Sequence, residues 1–141
     1  MQDLSYGVIG NCKTAALVSR RGSIDWLCLP DFDPPSVFSK ILDEKKGGSF
    51  SFKVGKEYEI VQQYIPYTNI LSTQFISPEG SFEVVDFMPR YRTADDQYFI
   101  PSEVYRYIRY ISGRPRFKIQ YSPMLNYAKE KAVHNHYSNF I

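Results

Sequence analysis

A chain of 141 residues is long enough for one domain with its own core, burying roughly two-thirds of the surface that its unfolded form exposes. With 43% hydrophobic and 16% aromatic residues it is not a linker or a disordered tail, and its wealth of Tyr, Phe, Val and Ile favours strands. A formal net charge of +2 is too small to imply a polyanionic partner, so a nucleic-acid-binding role is not expected.

Taken in chain order, the N-terminal MQDLSYGVIGN has no basic segment leading into a long apolar run, and about 18 consecutive apolar residues occur nowhere. The expectation is a cytoplasmic protein with no membrane partner. In that compartment Cys12 and Cys28 read as two reduced thiols packed as small hydrophobes. TAALVS (14–19) carries bulky residues on both faces, as does VYRYIRYI (104–111), so both read as strands covered on two sides, with the arginines of the second snorkelling. Arg21-Gly22 turns the first of these into SIDWLCL.

A helix is expected over 33–47, with Asp33 as cap, Pro34 in its first turn, Val37/Ile41 and Phe38/Leu42 paired four apart, and Gly47 ending it. Beyond it, clean alternation returns. Phe50, Phe52 and Val54 share one face, as later do Phe117, Ile119 and Tyr121, while Tyr58, Ile60, Gln62 and Tyr64 alternate less cleanly with Glu57, Glu59 and Val61. Ser77-Pro78-Glu79-Gly80 has the chemistry of a tight turn, with Gly80 at a positive φ, joining ILSTQFI to FEVVDFM. About nine strands and one short helix, with turn signals every 8 to 12 residues or so, predict an all-β, antiparallel β-sandwich. No repeat, low-complexity tract or linker divides it, so residues 1–141 are expected to form a single domain.

Three groups of residues bear on function. His134 and His136 would share one strand face, yet two imidazoles do not complete a tetrahedral metal site, and no metal or cofactor is expected. The Tyr/Arg mixture between Pro89 and Tyr121 resembles a stacking platform, but acidic residues dilute it and the tyrosines at 105, 107 and 110 do not share a face. They read as core and rim residues. The stretch GSIDWLCLPDFDPPSVF (22–38) surrounds the lone Trp26 with Asp25, Asp31 and Asp33. Carboxylates that accept sugar hydroxyls beside an indole face suit a carbohydrate, so these four are the candidate substrate-binding or domain-interface residues. A short strand-turn-helix segment does not hold two carboxyls across one glycosidic bond, and no catalytic residue is expected among them. The bland alternative gives Trp26 to the core, Asp33 to the helix cap and Asp31 to a turn.

Four blocks in order carry a resemblance: IGNCKTAALVSRRGSIDWLCLPDFDPPSVFSKILDEKKGG, YIPYTNILSTQFISPEG, VVDFMP and YIRYISGRPRFKIQYSPMLNY. Together they resemble the opening of the glucoamylase and trehalase-like glycoside hydrolases, the family numbered fifteen. Lys13, Arg21 and Pro34-Pro35 depart from its usual pattern. The resemblance implies an N-terminal β-sandwich followed by a helical barrel whose two glutamates, acid and base, hydrolyse α-glucosides with inversion. No segment here matches that barrel, and six helical hairpins at 1.5 Å rise per residue require several hundred residues. The expectation is therefore a non-catalytic N-terminal domain, inactive alone, that docks on and supports the helical catalytic domain of its parent chain. The alternatives are a stand-alone carbohydrate-binding module for an α-glucoside and a small independent hydrolase using Asp25, Asp31 and Asp33.

Overall fold

The computed structural model describes residues 5–135, 137 and 138. The first five strands are β1 (Tyr6–Gly10), β2 (Ala15–Ser19), β3 (Ile24–Cys28), β4 (Ser36–Ser39) and β5 (Ser49–Lys53). Then come β6 (Glu59–Tyr64), β7 (Leu71–Ser77), β8 (Gly80–Phe87) and the two-residue strands β9 (Tyr91–Arg92) and β10 (Tyr98–Phe99). The chain continues through β11 (Tyr105–Gly113), β12 (Lys118–Ser122), a single helical turn α1 (Leu125–Ala128) and β13 (Glu130–Lys131). All pairings between these strands are antiparallel.

Two sheets form the sandwich. One runs β1-β2-β3-β5-β12, with β4 sharing the second edge of β3, and the other runs β11-β8-β7-β6. Period-two alternation fills the space between them: Ile9, Ala16, Val18, Ile24, Leu27, Phe38 and Leu71 make one cluster, and Phe52, Phe75, Phe82 and Val84 a second. In the second, Phe75 stacks on Phe82 at 4.6 Å and Phe82 on Phe117 at 4.3 Å. The expected hairpins are present, β2 into β3 through Gly22 at φ 70° and β7 into β8 with Ser77 opposite Gly80. Gly80 does not hold a positive φ. A side chain there would strike the backbone at Arg114 and Pro115, and that close approach is what requires glycine.

The helix expected over 33–47 does not form. Proline biases the preceding residue to extended backbone, and Ser36–Ser39 pairs with β3, setting Phe38 opposite Leu27 in the core and Ser39 opposite Trp26. Burying Phe38 outweighs the two helical pairs, and Leu42 is left exposed. What remains is a set of tight turns in which Asp43 and Leu42 donate to Ser39 and Gly47 donates to Asp43. Among the described residues the one helical segment lies instead at Leu125–Ala128, where Asn126, Tyr127 and Ala128 have positive φ.

VYRYIRYI is also not covered on both faces. It forms an edge strand whose Tyr105, Tyr107 and Tyr110 are exposed, so these tyrosines are not core residues. They do divide between faces: Tyr105 and Tyr107 lie opposite Phe87 and Val85, Tyr110 opposite the buried Phe82. Arg106 does not snorkel. Its guanidinium lies inside the sandwich, where Nε donates to Asp86 Oδ1 at 2.7 Å and Nη2 to Oδ2 at 3.0 Å. Nη1 donates to the Phe50 carbonyl and Nη2 to that of Gly22, so one side chain ties the two sheets together. The guanidinium also lies over the rings of Phe50 and Phe52.

Candidate functional site

The four candidate residues do not converge. Asp25 is the extra residue of a bulge in β3, because Leu17 pairs with Trp26 and Val18 with Ile24. Its carboxylate is buried and accepts from Ser23 Oγ and, at 3.2 Å, from Tyr6 Oη, with Lys40 Nζ at 3.7 Å. Such a carboxylate is already satisfied and has structural work to do. Trp26 points to the outer side of the sheet, opposite Leu17 and Ser39, half-buried, with the Tyr127 ring 6.5 Å away. It therefore does not belong to the core.

Asp31 and Asp33 lie beyond the other end of β3. From Asp25 to Cys28 alone is about 10 Å of extended backbone. They occupy the loop that leads into β4, together with Phe32, which is 64% exposed. Asp33 is exposed and caps no helix, and Asp31 reaches Lys13 Nζ at 3.5 Å.

Three loops meet at this pole of the sandwich, and Asn11 joins them. Its Oδ1 accepts from the backbone of Lys13 and Thr14, its Nδ2 donates to the Pro101 carbonyl, and its own carbonyl accepts from Arg90. Thr14 Oγ1 donates to the Cys28 carbonyl at 2.6 Å, and Ser102 Oγ donates to that of Pro30. Around this buried hub the pole displays Lys13, Asp31, Phe32 and Asp33, and alongside them the β9–β10 hairpin, where the Arg90 guanidinium lies 4.4 Å from the Tyr98 ring centre. The arrangement presents charged and aromatic groups for contact. It does not pair an acid with a base, and among the described residues no three His, Cys, Asp or Glu side chains gather as metal ligands.

Asn11 and Arg90 were missed in the sequence. The Asn-x-x-Thr spacing over 11–14 is the signal that an Asx turn sits there. Arg90 had no local signal, because its partner lies 79 residues away. On the outer face of the second sheet, Glu83 was missed too: it is 3% exposed, accepts from Ser72 Oγ at 2.6 Å and pairs with Arg109 Nη2 at 2.6 Å.

Of the two thiols, Cys28 is buried as expected, and burial pushes its pKa up. Cys12 is exposed in the β1–β2 turn at φ 68°, so it is not packed as a small hydrophobe. His134 touches the Tyr121 ring edge-on, at 5.9 Å between ring centres, while its expected face-mate His136 lies outside the described residues. Among the described residues, no helix is long and apolar enough to cross a membrane.

The two-sheet antiparallel body defines the chain as a β-sandwich domain. Residues 5–138 match the model of the trehalase-like N-terminal domain, and the chain belongs to that family. Among its relatives, a trehalase of Thermoplasma volcanium is 37% identical over 133 residues, spanning 91% of this chain and 20% of the relative. Trehalase 2 of Sulfolobus acidocaldarius is 36% identical over 88% of this chain and 19% of its own length. A trehalase of Thermoplasma acidophilum is 41% identical over 83% of the chain and 20% of its own. The chain thus spans about a fifth of the length of these curated relatives. No solved structure matches it.

Proposed function

We propose that residues 1–141 are the non-catalytic N-terminal domain of a trehalase-like α-glucoside hydrolase, docked on a helical catalytic domain of the same polypeptide. The observation that carries this reading is the extent of the match: nearly the whole chain corresponds to a domain that is only a fifth of each of the trehalases it resembles. The geometry agrees, because Asp25 is consumed by Ser23, Tyr6 and Lys40 and lies a strand's length from Asp31 and Asp33. In this reading the loop pole is the contact surface, with Asp31, Phe32 and Asp33 facing the catalytic domain or the rim of its active site. Asp25 and Trp26 shape the strand behind them.

The test is to assay the parent polypeptide and a form lacking residues 5–138 with trehalose. Loss of activity together with soluble but poorly stable protein supports a supporting domain. Full activity and unchanged Tm in the truncated form refute it. A carbohydrate-binding module is the second reading, favoured by the exposed aromatic rings of Tyr91, Tyr98 and Phe99 at the same pole. Calorimetric titration of the chain with trehalose and maltose decides it, and heat saturating in the millimolar range or below would establish the module.

A further inference from the structure

The outer face of the first sheet gathers positive charge that the net charge of +2 conceals. Phe50 and Phe52 of β5 point into the sandwich, so Ser49, Ser51 and Lys53 point outward. Gln120 and Ser122 of β12 lie opposite Ser51 and Ser49, and the four make a polar floor. Two hollows open over it. The larger, of about 600 Å³, is ringed by Lys40, Lys45, Lys46, Lys53 and Lys131. The smaller, of about 190 Å³, shares Lys40 and Lys53 with it and adds Arg21 and Ser51. These cations come from the β2–β3 turn, the turns after β4, the end of β5 and β13, so the fold and not a basic run in the sequence brings them together.

Little on this face neutralises them. The neighbouring acids are Asp25, Asp43 and Glu44. Asp25 is buried, with Lys40 Nζ at 3.7 Å, and Asp43 accepts from the backbone of Lys45 and Lys46. Among the described residues Arg21, Lys45, Lys46, Lys53 and Lys131 form no salt bridge. Lys53 also stands directly opposite Lys118 in the β5–β12 ladder, a like-charge pair that costs stability. Ser51 points the same way. It is 3% exposed, and its Oγ, on the wall of the smaller hollow with Lys40 and Lys53, has no hydrogen-bond partner among the described residues. A buried hydroxyl left unpartnered is costly, and here it offers a donor beside two ammonium groups.

We propose that this groove binds an oligophosphate, a small ligand with two or more linked phosphate groups. Lysine ammonium groups are compact point charges that bind phosphate oxygens through charge-assisted hydrogen bonds. Six cations spread over two joined hollows exceed what one phosphate engages and suit a short chain of them. Lys40 and Lys53, common to both hollows, bridge adjacent phosphates, and Ser51 Oγ donates to the one in the smaller hollow. Binding relieves the repulsion between Lys53 and Lys118 and so stabilises the fold. The site stands apart from the loop pole, and none of its tests depends on hydrolysis of an α-glucoside.

Calorimetric titration of the 141-residue chain and of the parent polypeptide with inorganic tripolyphosphate, free of divalent cations, tests it. Tripolyphosphate binds saturably with a submillimolar Kd and raises Tm, while inorganic phosphate binds about ten-fold more weakly or less, because linked phosphates engage the groove together. Lys53→Gln and Lys131→Gln each weaken tripolyphosphate binding by about five-fold or more. Ser51→Ala weakens it with no loss of Tm in the free protein, and Lys13→Gln, at the loop pole, leaves it unchanged. ATP that binds more tightly than tripolyphosphate assigns the groove to nucleotides, and ATP that binds more weakly assigns it to inorganic chains. Four results overturn the proposal: no saturable heat with tripolyphosphate, equal affinity for a short polyglutamate, which marks a merely cationic surface, equal weakening by Lys13→Gln and Lys53→Gln, or binding to the short chain that is lost in the parent, which marks the groove as covered by the rest of the protein.

Discussion

Arg106 is the residue on which the two sheets depend most directly. Its guanidinium and the Asp86 carboxylate are both buried, and three of its nitrogens are bonded to Asp86, Phe50 and Gly22. Burial pushes the Asp86 pKa up, opposed by the hydrogen bonds and charge of Arg106. Removing one partner strands the other without compensation, which costs about 3–5 kcal/mol, whereas replacing both by apolar residues costs far less. Arg106→Met and Asp86→Leu are therefore each expected to lower the denaturation midpoint severely, with the double variant closer to the parent, as urea titrations would show. Two midpoints little changed by the single substitutions would contradict this role. The thiols give a second residue-scale expectation: iodoacetamide modifies Cys12 in the native chain and reaches Cys28 only after unfolding, because burial both shields that thiol and disfavours its thiolate. Mass spectrometry of peptides from protein alkylated in the native and unfolded states reads this out. Neither Arg106 nor Asp86 was legible in the sequence, since an arginine in a strand covered on both sides reads as snorkelling to solvent until its partner, 20 residues away in sequence, is known to lie across the ladder.

At the scale of elements, period-two strands and glycine turns were readable because each is a local property. The alternations over 50–54 and 117–121 and the two hairpins stand where the residue pattern puts them. The segment 33–47 was misread because its i, i+4 pairs are local while the competing interaction, Phe38 packing beside Leu27 in the core, is not. Gly80 shows the same limit: its turn was legible, but its reason lies in the 112–115 backbone. Gly80→Ala must push that backbone aside, so a loss of more than about 1 kcal/mol is expected, measured by chemical denaturation. In the turns that replace the helix, Asp43 Oδ1 accepts from the N–H groups of Lys45 and Lys46 at 2.9 and 3.0 Å. These bonds, first Lys46 and then Lys45, lower the pKa of Asp43. A lowered folded-state pKa stabilises the turn above the ordinary aspartate range and is lost as pH falls through the lowered value. The Lys45 and Lys46 amide resonances should then move together on acidification, with a midpoint below that of an unperturbed aspartate, and Asp43→Ala should remove the transition. A midpoint at or above the ordinary value would contradict the capping role.

For the molecule as a whole, the β-sandwich was legible from composition and alternation, and the family from four ordered blocks. The candidate site was half legible. Asp31 and Asp33 do stand on an exposed loop, but Asp25 and Trp26 lie elsewhere, because the β3 bulge and the length of that strand separate residues that are close in the chain. The hub that gathers the pole, Asn11 with Thr14, Arg90 and Pro101, joins segments up to 90 residues apart and was invisible to local reading. Among the described residues the fold presents an exposed loop pole that carries charged and aromatic groups. The most direct test is glucose release from trehalose by the purified 141-residue chain, beside the parent polypeptide at equal molar concentration. The account predicts turnover by the parent and none by the short chain; glucose released by the short chain alone would contradict it.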